Sequence, residues 1–290
     1  MSIKRSDDFH QMLQNIDSLP SLPQILEKIV ALANDENSSI KDISNVISTD
    51  NSFAAKVLRM ANSAYFGLPR HVSSLNQAVV ILGVNTIKNI AIGLSVFSSL
   101  AKLDQKLIPE LLRIWKFSLL VSGTARSIAK HSNYPDPEEA FLAGLLHDLG
   151  RIIILKFMSK EFKEINGLVA QHGYSLLDAE KEIIQITHTE LGSYLIDSWN
   201  LPQRLKYVMQ YHHTPYELDD VPCDDPSILL LVKIVSLSQF LCADTELSDA
   251  DADVYNRLLK DLSINDSIMT LYMDEIEKIV DSLVDMMPFY

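Results

Sequence analysis

Asp136-Pro137-Glu138-Glu139-Ala140-Phe141-Leu142-Ala143-Gly144-Leu145-Leu146-His147-Asp148-Leu149-Gly150-Arg151 is the stretch on which the reading of this chain turns. Its opening is a helix start: Asp136 is placed to cap, Pro137 to take the first helical position and Glu139 the third. The apolar run Ala140–Leu146 then carries the helix into His147-Asp148. Gly150 suggests a break before a second apolar segment, Ile152–Phe157. A polar pair thus sits at the expected junction of two apolar helices.

The same helical period recurs on both sides. Leu22, Ile25, Leu26, Ile29 and Ala33 form one stripe, and Ile40, Ile43, Val46 and Ile47 a second. Phe53, Val57, Met60, Ala61 and Ala64 continue it up to Gly67. Ser74-Leu75-Asn76-Gln77 reads as a capping box, opening a helix that stops at Gly83. Another runs from about Asn85 through Leu94. Pro109 fits a first helical position for a helix through Trp115, Leu119 and Ile128 that ends near His131. Ser175 opens a later helix, and Trp199-Asn200-Leu201-Pro202 marks a junction. Residues 213–227 contain three prolines and five acids and read as a loop. Helices follow at about Ser227–Cys242, Asp249–Lys260 and Asp266–Met286. The last carries Met269, Tyr272, Ile276, Ile279, Leu283 and Met286 on one face, which is expected to pack on the same molecule. Period-2 alternation is not sustained anywhere, so the fold class is all-α.

Composition excludes several functions. The chain has 290 residues and a net charge of −13. Residues 1–216 hold 21 acidic and 21 basic side chains, whereas residues 217–290 hold 17 acidic and 4 basic, so the whole excess lies in the last quarter. No basic stripe is available for a nucleic-acid backbone or an anionic membrane. The two cysteines, Cys223 and Cys242, form no CxxC, which excludes a disulfide framework and a thiolate zinc site; each is expected as a small buried apolar residue. The first residues lack an apolar leader and no apolar run approaches the roughly 20 residues of a membrane span, so a cytoplasmic protein is expected. No glycine-rich phosphate loop is present.

Four of the eight histidines and one aspartate are the candidates for chemistry: His147-Asp148, His188 and His212-His213. Imidazole and carboxylate suit zinc, iron or manganese, and such an ion could polarise a phosphoryl oxygen and acidify a bound water. Neighbours on a helix point about 100° apart, so an adjacent His-Asp pair serves one centre best at a helix end. Without a metal, the pair would be two semi-buried polar groups satisfying each other. His10, His71, His131 and His172 have no partner pattern and are expected at the surface. Asn62 and Ser63 are assigned a structural role, bridging or capping helices.

Ala143-Gly144-Leu145-Leu146-His147-Asp148-Leu149-Gly150-Arg151 resembles the HD motif of metal-dependent phosphohydrolases. The whole order resembles, more closely, the HDOD family, the HD-related output domains of bacterial signalling proteins. The further stretches that carry this are Leu19-Pro20-Ser21-Leu22-Pro23, Leu58-Arg59-Met60-Ala61-Asn62-Ser63-Ala64, Ala78-Val79-Val80-Ile81-Leu82-Gly83, and His188-Thr189-Glu190-Leu191-Gly192, with Trp199-Asn200-Leu201-Pro202 and His212-His213. The resemblance implies a multi-helical domain over residues 19–245, its N-terminal helical half (19–108) packed on an HD-like half (109–245). Residues 1–18 precede it as a lead, and 246–290 follow as an acidic helical segment.

The resemblance also implies a degenerate site. The HD pattern asks for an upstream His near Trp115-Lys116-Phe117-Ser118, where this chain has Phe117, and for a distal Asp where it has Gln239. The related cyclic-dinucleotide phosphodiesterases carry Lys after HDxG; here Arg151 stands there, able to stabilise charge but not to act as a general acid. What remains is a remnant metal set of His147, Asp148, His188, His212 and His213, with no catalytic residue assigned. No cofactor is expected beyond a divalent iron, manganese, zinc or magnesium ion at that remnant. The expected function is a non-catalytic signal-transduction module binding a signalling protein in trans or a small regulatory ligand. The alternative is a metal-dependent phosphohydrolase or phosphodiesterase.

Overall fold

The structure is a computed structural model that describes residues 24–33, 40–68, 70–100, 104–217, 225–243 and 248–282. Leu19–Pro23, His10, Cys223, part of the 213–227 loop, Leu283 and Met286 lie outside the described residues. No strand occurs among the described residues, and the chain is a succession of helices. These are α1 (Gln24–Ala33), α2 (Ile40–Ser48), α3 (Asn51–Ala61), α4 (Leu75–Leu82), α5 (Val84–Leu100), α6 (Ile108–His131), α7 (Pro137–Leu146) and α8 (Leu149–Phe157). They continue as α9 (Ser159–His172), α10 (Leu176–Ile184), α11 (His188–Ser198), α12 (Gln203–Tyr211), α13 (Pro226–Cys242), α14 (Asp249–Asp261) and α15 (Asp266–Ser282).

The caps fall close to where the sequence places them. Asp136 accepts the backbone N–H groups of Glu138 and Glu139, with Pro137 as the first residue of α7. Ser74 and Ser175 cap α4 and α10 through the N–H groups of Gln77 and Asp178. Two details differ. Pro109 is the second residue of α6, not the first. Gln77 accepts the N–H of Ser73 rather than that of the cap residue Ser74, so the box closes one residue earlier than its pattern suggests.

Two long helices organise the packing. α5 is the axis of the N-terminal half: α1, α3 and α4 pack on it, and so does α7 of the C-terminal half. α6 is the axis of the C-terminal half and carries α7, α13 and α15. The two axes meet where the Phe97 and Trp115 rings lie 4.0 Å apart, both side chains almost wholly buried. Asn89 of α5 donates to the Glu138 carbonyl at the start of α7, which satisfies a buried amide and fixes the seam between halves.

Small residues set how closely helices approach α6. A Cβ on Gly144 would lie 2.7 Å from the Cα of Ser122, so α7 meets α6 nearly backbone to backbone. Tyr272 and Ile279 of α15 are buried, and Ile279 occupies the space that a side chain at Gly123 of α6 would need. The described part of the last apolar face therefore does pack on its own chain. Cys242 lies against Thr124 at 3.3 Å, and burial pushes its thiol up to about 12, which makes it an inert packing group. Asn62 is a bridge: its amide donates to the carbonyls of Leu58 and Val72 and accepts the N–H of Val72. The paired bonds to Val72 close the loop that follows α3 against the helix. His71, His131 and His172 are exposed. No helix among the described residues is long and apolar enough to cross a membrane.

Candidate metal centre

The site is made of helix ends. His147 is the residue after α7 and Asp148 the one before α8, so the chain turns a corner between them. That corner lets adjacent residues face one centre. Asp148 occupies the cap position of α8 yet makes no capping hydrogen bond; its carboxylate is turned away to the site. Gly150 does not break the chain but belongs to the first turn of α8, where a Cβ would lie 1.9 Å from the His188 carbonyl oxygen. Its role is close approach of α8 to α11, which brings Asp148 beside His188.

His188 is the first residue of α11, fixed by a Thr187–Glu190 capping box. His212 and His213 close α12. His147, Asp148, His188 and His212 are each at most 1% exposed, and His213 is half-buried. Asp148 Oδ1 stands 3.5 Å from His188 Nε2, 3.8 Å from His147 Nε2 and 3.9 Å from His212 Nε2. His188 Nε2 lies 3.4 Å from His212 Nε2 and 3.2 Å from His213 Nε2. The ligand atoms of Asp148, His188, His212 and His213 all fall within 4.8 Å of one another. His147 stands at the rim of this group, its ring 5.1 Å from that of His212.

The outer hydrogen bonds decide which nitrogens face inward. His147 Nδ1–H donates to the Gly144 carbonyl, and His212 Nδ1–H to the carbonyls of Val208 and Met209. His188 Nδ1–H donates to both carboxylate oxygens of Glu180, at 2.8 and 2.9 Å. With each proton held on Nδ1, the Nε2 atoms present lone pairs to the centre. His147 Nε2 and Asp148 Oδ1 are buried there with no hydrogen-bond partner. Phe117 of α6 stands with its ring 5.7 Å from that of His147, and Gln239 of α13 has its amide nitrogen 3.4 Å from His213. Both residues that replace expected ligands thus lie at the site.

These residues fit a metal ion. Inward lone pairs without donors repel one another unless a cation stands among them, and the orphaned Asp148 Oδ1 asks for one. Donors about 2.1 Å from one ion lie roughly 3–3.5 Å apart, the spacing of the tighter pairs here. Three imidazoles and one carboxylate suit zinc, iron or manganese; magnesium, which prefers oxygen ligands and water, does not match them.

Burial pushes His147 and His213 below the ordinary histidine range and takes His212 down to about 3, with the neighbouring histidines acting in the same sense on His212 and His213. Burial opposes charge on Asp148 too, but His147 and the Arg151 guanidinium, 3.2 Å from Oδ2, hold its carboxyl well below the usual range. A base whose pKa is lower folded than unfolded leaves the unfolded chain with more protons at any pH between the two values. Stability is then complete above the ordinary histidine range and falls as the pH drops through it. Thermal melts of the metal-free protein are expected to lose midpoint steadily between about pH 7 and pH 5. A flat profile there would contradict neutral buried imidazoles.

Glu180 is the member the sequence does not announce. It is 1% exposed, accepts the backbone N–H and Nδ1–H of His188, and lies on the buried side of α10 with Ala179 and Ile184. A carboxylate one turn before Ile184 on an apolar face was the available signal.

A helical domain with a His-Asp corner facing three further histidines is an HD-like domain. The chain belongs to the HDOD domain family, which matches residues 19–215. Its fold resembles an HDOD domain protein of unknown function from Geobacter sulfurreducens, at 23% identity and a TM-score of 0.73, covering 94% of each chain. It also resembles a candidate phosphohydrolase from Shewanella amazonensis, at 24% identity and a TM-score of 0.76, covering 95% of this chain and 97% of that one. At these identities the likeness is one of fold. An uncharacterised Treponema pallidum protein is 22% identical over 198 residues, covering 68% of this chain but only 38% of its own length.

Proposed function

We propose that this chain is a regulatory HDOD module that performs no hydrolysis, and that its His-Asp cluster ties helix ends together around a divalent ion. The observation that carries this reading is burial: His147, Asp148, His188 and His212 are at most 1% exposed. A bound ion supplies Lewis acidity toward a phosphoryl oxygen and a more acidic water. The described residues around the cluster do not favour turnover. Phe117 fills a wall where a ligand would be needed, Gln239 offers a neutral amide, and Arg151 holds Asp148 without a transferable proton. The cluster instead joins the α7–α8 corner to α11 and α12, and the output passes to a signalling protein in trans.

A second reading, a metal-dependent phosphohydrolase, is favoured by the converging Asp148, His188, His212 and His213. Metal analysis, melting curves with added zinc or manganese and a nucleotide-hydrolysis panel on the purified protein separate the two. The regulatory reading expects a higher midpoint with the ion and no hydrolysis above the blank. Turnover that disappears in Asp148→Ala would establish the second reading in its place.

A further inference from the structure

The charge of the chain is segregated beyond its acidic end. Residues 51–103 contain Lys56, Arg59, Arg70, Lys88 and Lys102 and no Asp or Glu at all. Within that stretch lies an open groove of about 640 Å³ between α3 and the segment before α4. One wall is the helical row Ala55, Leu58, Arg59 and Asn62; the other is His71, Val72 and Ser73. The Asn62 bridge to Val72 holds the walls at a fixed spacing. Arg59 and His71 are exposed on the two lips, and Arg70 is exposed beside them. The nearest acid along the chain, Asp50, is used in capping α3.

The opposite chemistry is on α15. Tyr272 and Ile279 bury one face against the chain, which leaves Asp266, Thr270, Met273, Glu277 and Val280 exposed at spacings of four, three, four and three. This is one helical stripe, acidic at Asp266 and Glu277 and apolar at Met273 and Val280, which are 50% and 48% exposed. Apolar side chains that open to solvent on a regular stripe are the form taken by a helix that lies in a groove.

We propose that the groove takes α15 of a second copy of this chain, with Glu277 and Asp266 toward the basic lips and Met273 and Val280 over the groove floor. The two surfaces are neighbours on one molecule, because α15 packs on Ala64–Phe66, just after groove residue Asn62. A two-fold axis between two copies can therefore seat both stripes at once, which gives a closed dimer and not an open filament. The proposal is independent of the metal centre.

Sedimentation velocity of the full chain over a range of concentrations tests it. A monomer–dimer equilibrium that weakens with added salt is expected. Arg59→Glu and Glu277→Lys should each weaken dimerisation by about tenfold or more, and the double variant Arg59→Glu/Glu277→Lys should recover most of the loss. Both sites are exposed, and circular dichroism checks that each variant is folded. A chain that stays monomeric at every concentration overturns the proposal, as does a dimer that neither substitution changes. Two weakened single variants with no recovery in the double would overturn the assigned pairing of groove and stripe.

Discussion

Gly150→Ala is expected to cost about 3 kcal/mol or more of folding stability, far beyond an ordinary glycine-to-alanine change in a helix. The added Cβ would fall 1.9 Å from the oxygen, 2.6 Å from the carbon and 2.9 Å from the Cα of His188. These are backbone atoms at the start of α11, so no side-chain rotation relieves the contact. The helices must part, and the residue that moves first is His188 itself. The same variant should therefore lose the midpoint gain expected of the parent protein when zinc is added. Gly167→Ala is the control, since a Cβ there meets nothing within 4 Å in the middle of α9. It is expected to stabilise by about 0.5–1 kcal/mol, the usual helix-propensity gain. Urea titrations of both variants measure the contrast; a Gly150→Ala protein within about 1 kcal/mol of the parent would mean α8 and α11 are not in contact as described.

Gly150 also shows what a sequence can and cannot announce. As a local signal it reads as a helix breaker, because glycine weakens helices wherever nothing else is known. Its actual constraint comes from a helix almost forty residues further on, which no local pattern carries. The caps behave differently. Asp136, Ser74 and Ser175 act on N–H groups two or three residues away, so their spacing alone identifies them. His147, Asp148, His188, His212 and His213 were legible because their residue types are unusual together and their order matches a known frame. Glu180 was not, since a single glutamate on a helix is ordinary until its burial and its partner are known. The acidic excess was legible in place but not in purpose: its location needs only counting, whereas the exposed stripe on α15 depends on which face the fold covers.

Glu180 gives the most discriminating pair of variants. In Glu180→Ala the His188 Nδ1–H and backbone N–H, both buried, lose their acceptor. Hydrogen bonds to a carboxylate contribute roughly 1.5–3 kcal/mol each, so a loss of about 3 kcal/mol is expected, measured by urea titration. Glu180→Gln keeps the volume and one acceptor oxygen but sets an NH₂ group beside Nδ1. An N–H donor facing Nδ1 favours the other tautomer, in which the proton sits on Nε2 and points at Asp148 and the neighbouring imidazoles. That costs the fold little, yet it removes one lone pair from the centre. The expected result is a melting midpoint close to that of the parent without metal, together with zinc affinity lower by about 10–100-fold. Nitrogen-15 spectra of the His188 ring report the tautomer directly. Unchanged zinc affinity with the reversed tautomer would remove His188 from the ligand set; a collapse of stability equal to that of the alanine variant would make Glu180 a packing group and nothing more. A carboxylate held eight residues ahead of the histidine thus decides whether the cluster presents lone pairs or protons to its centre.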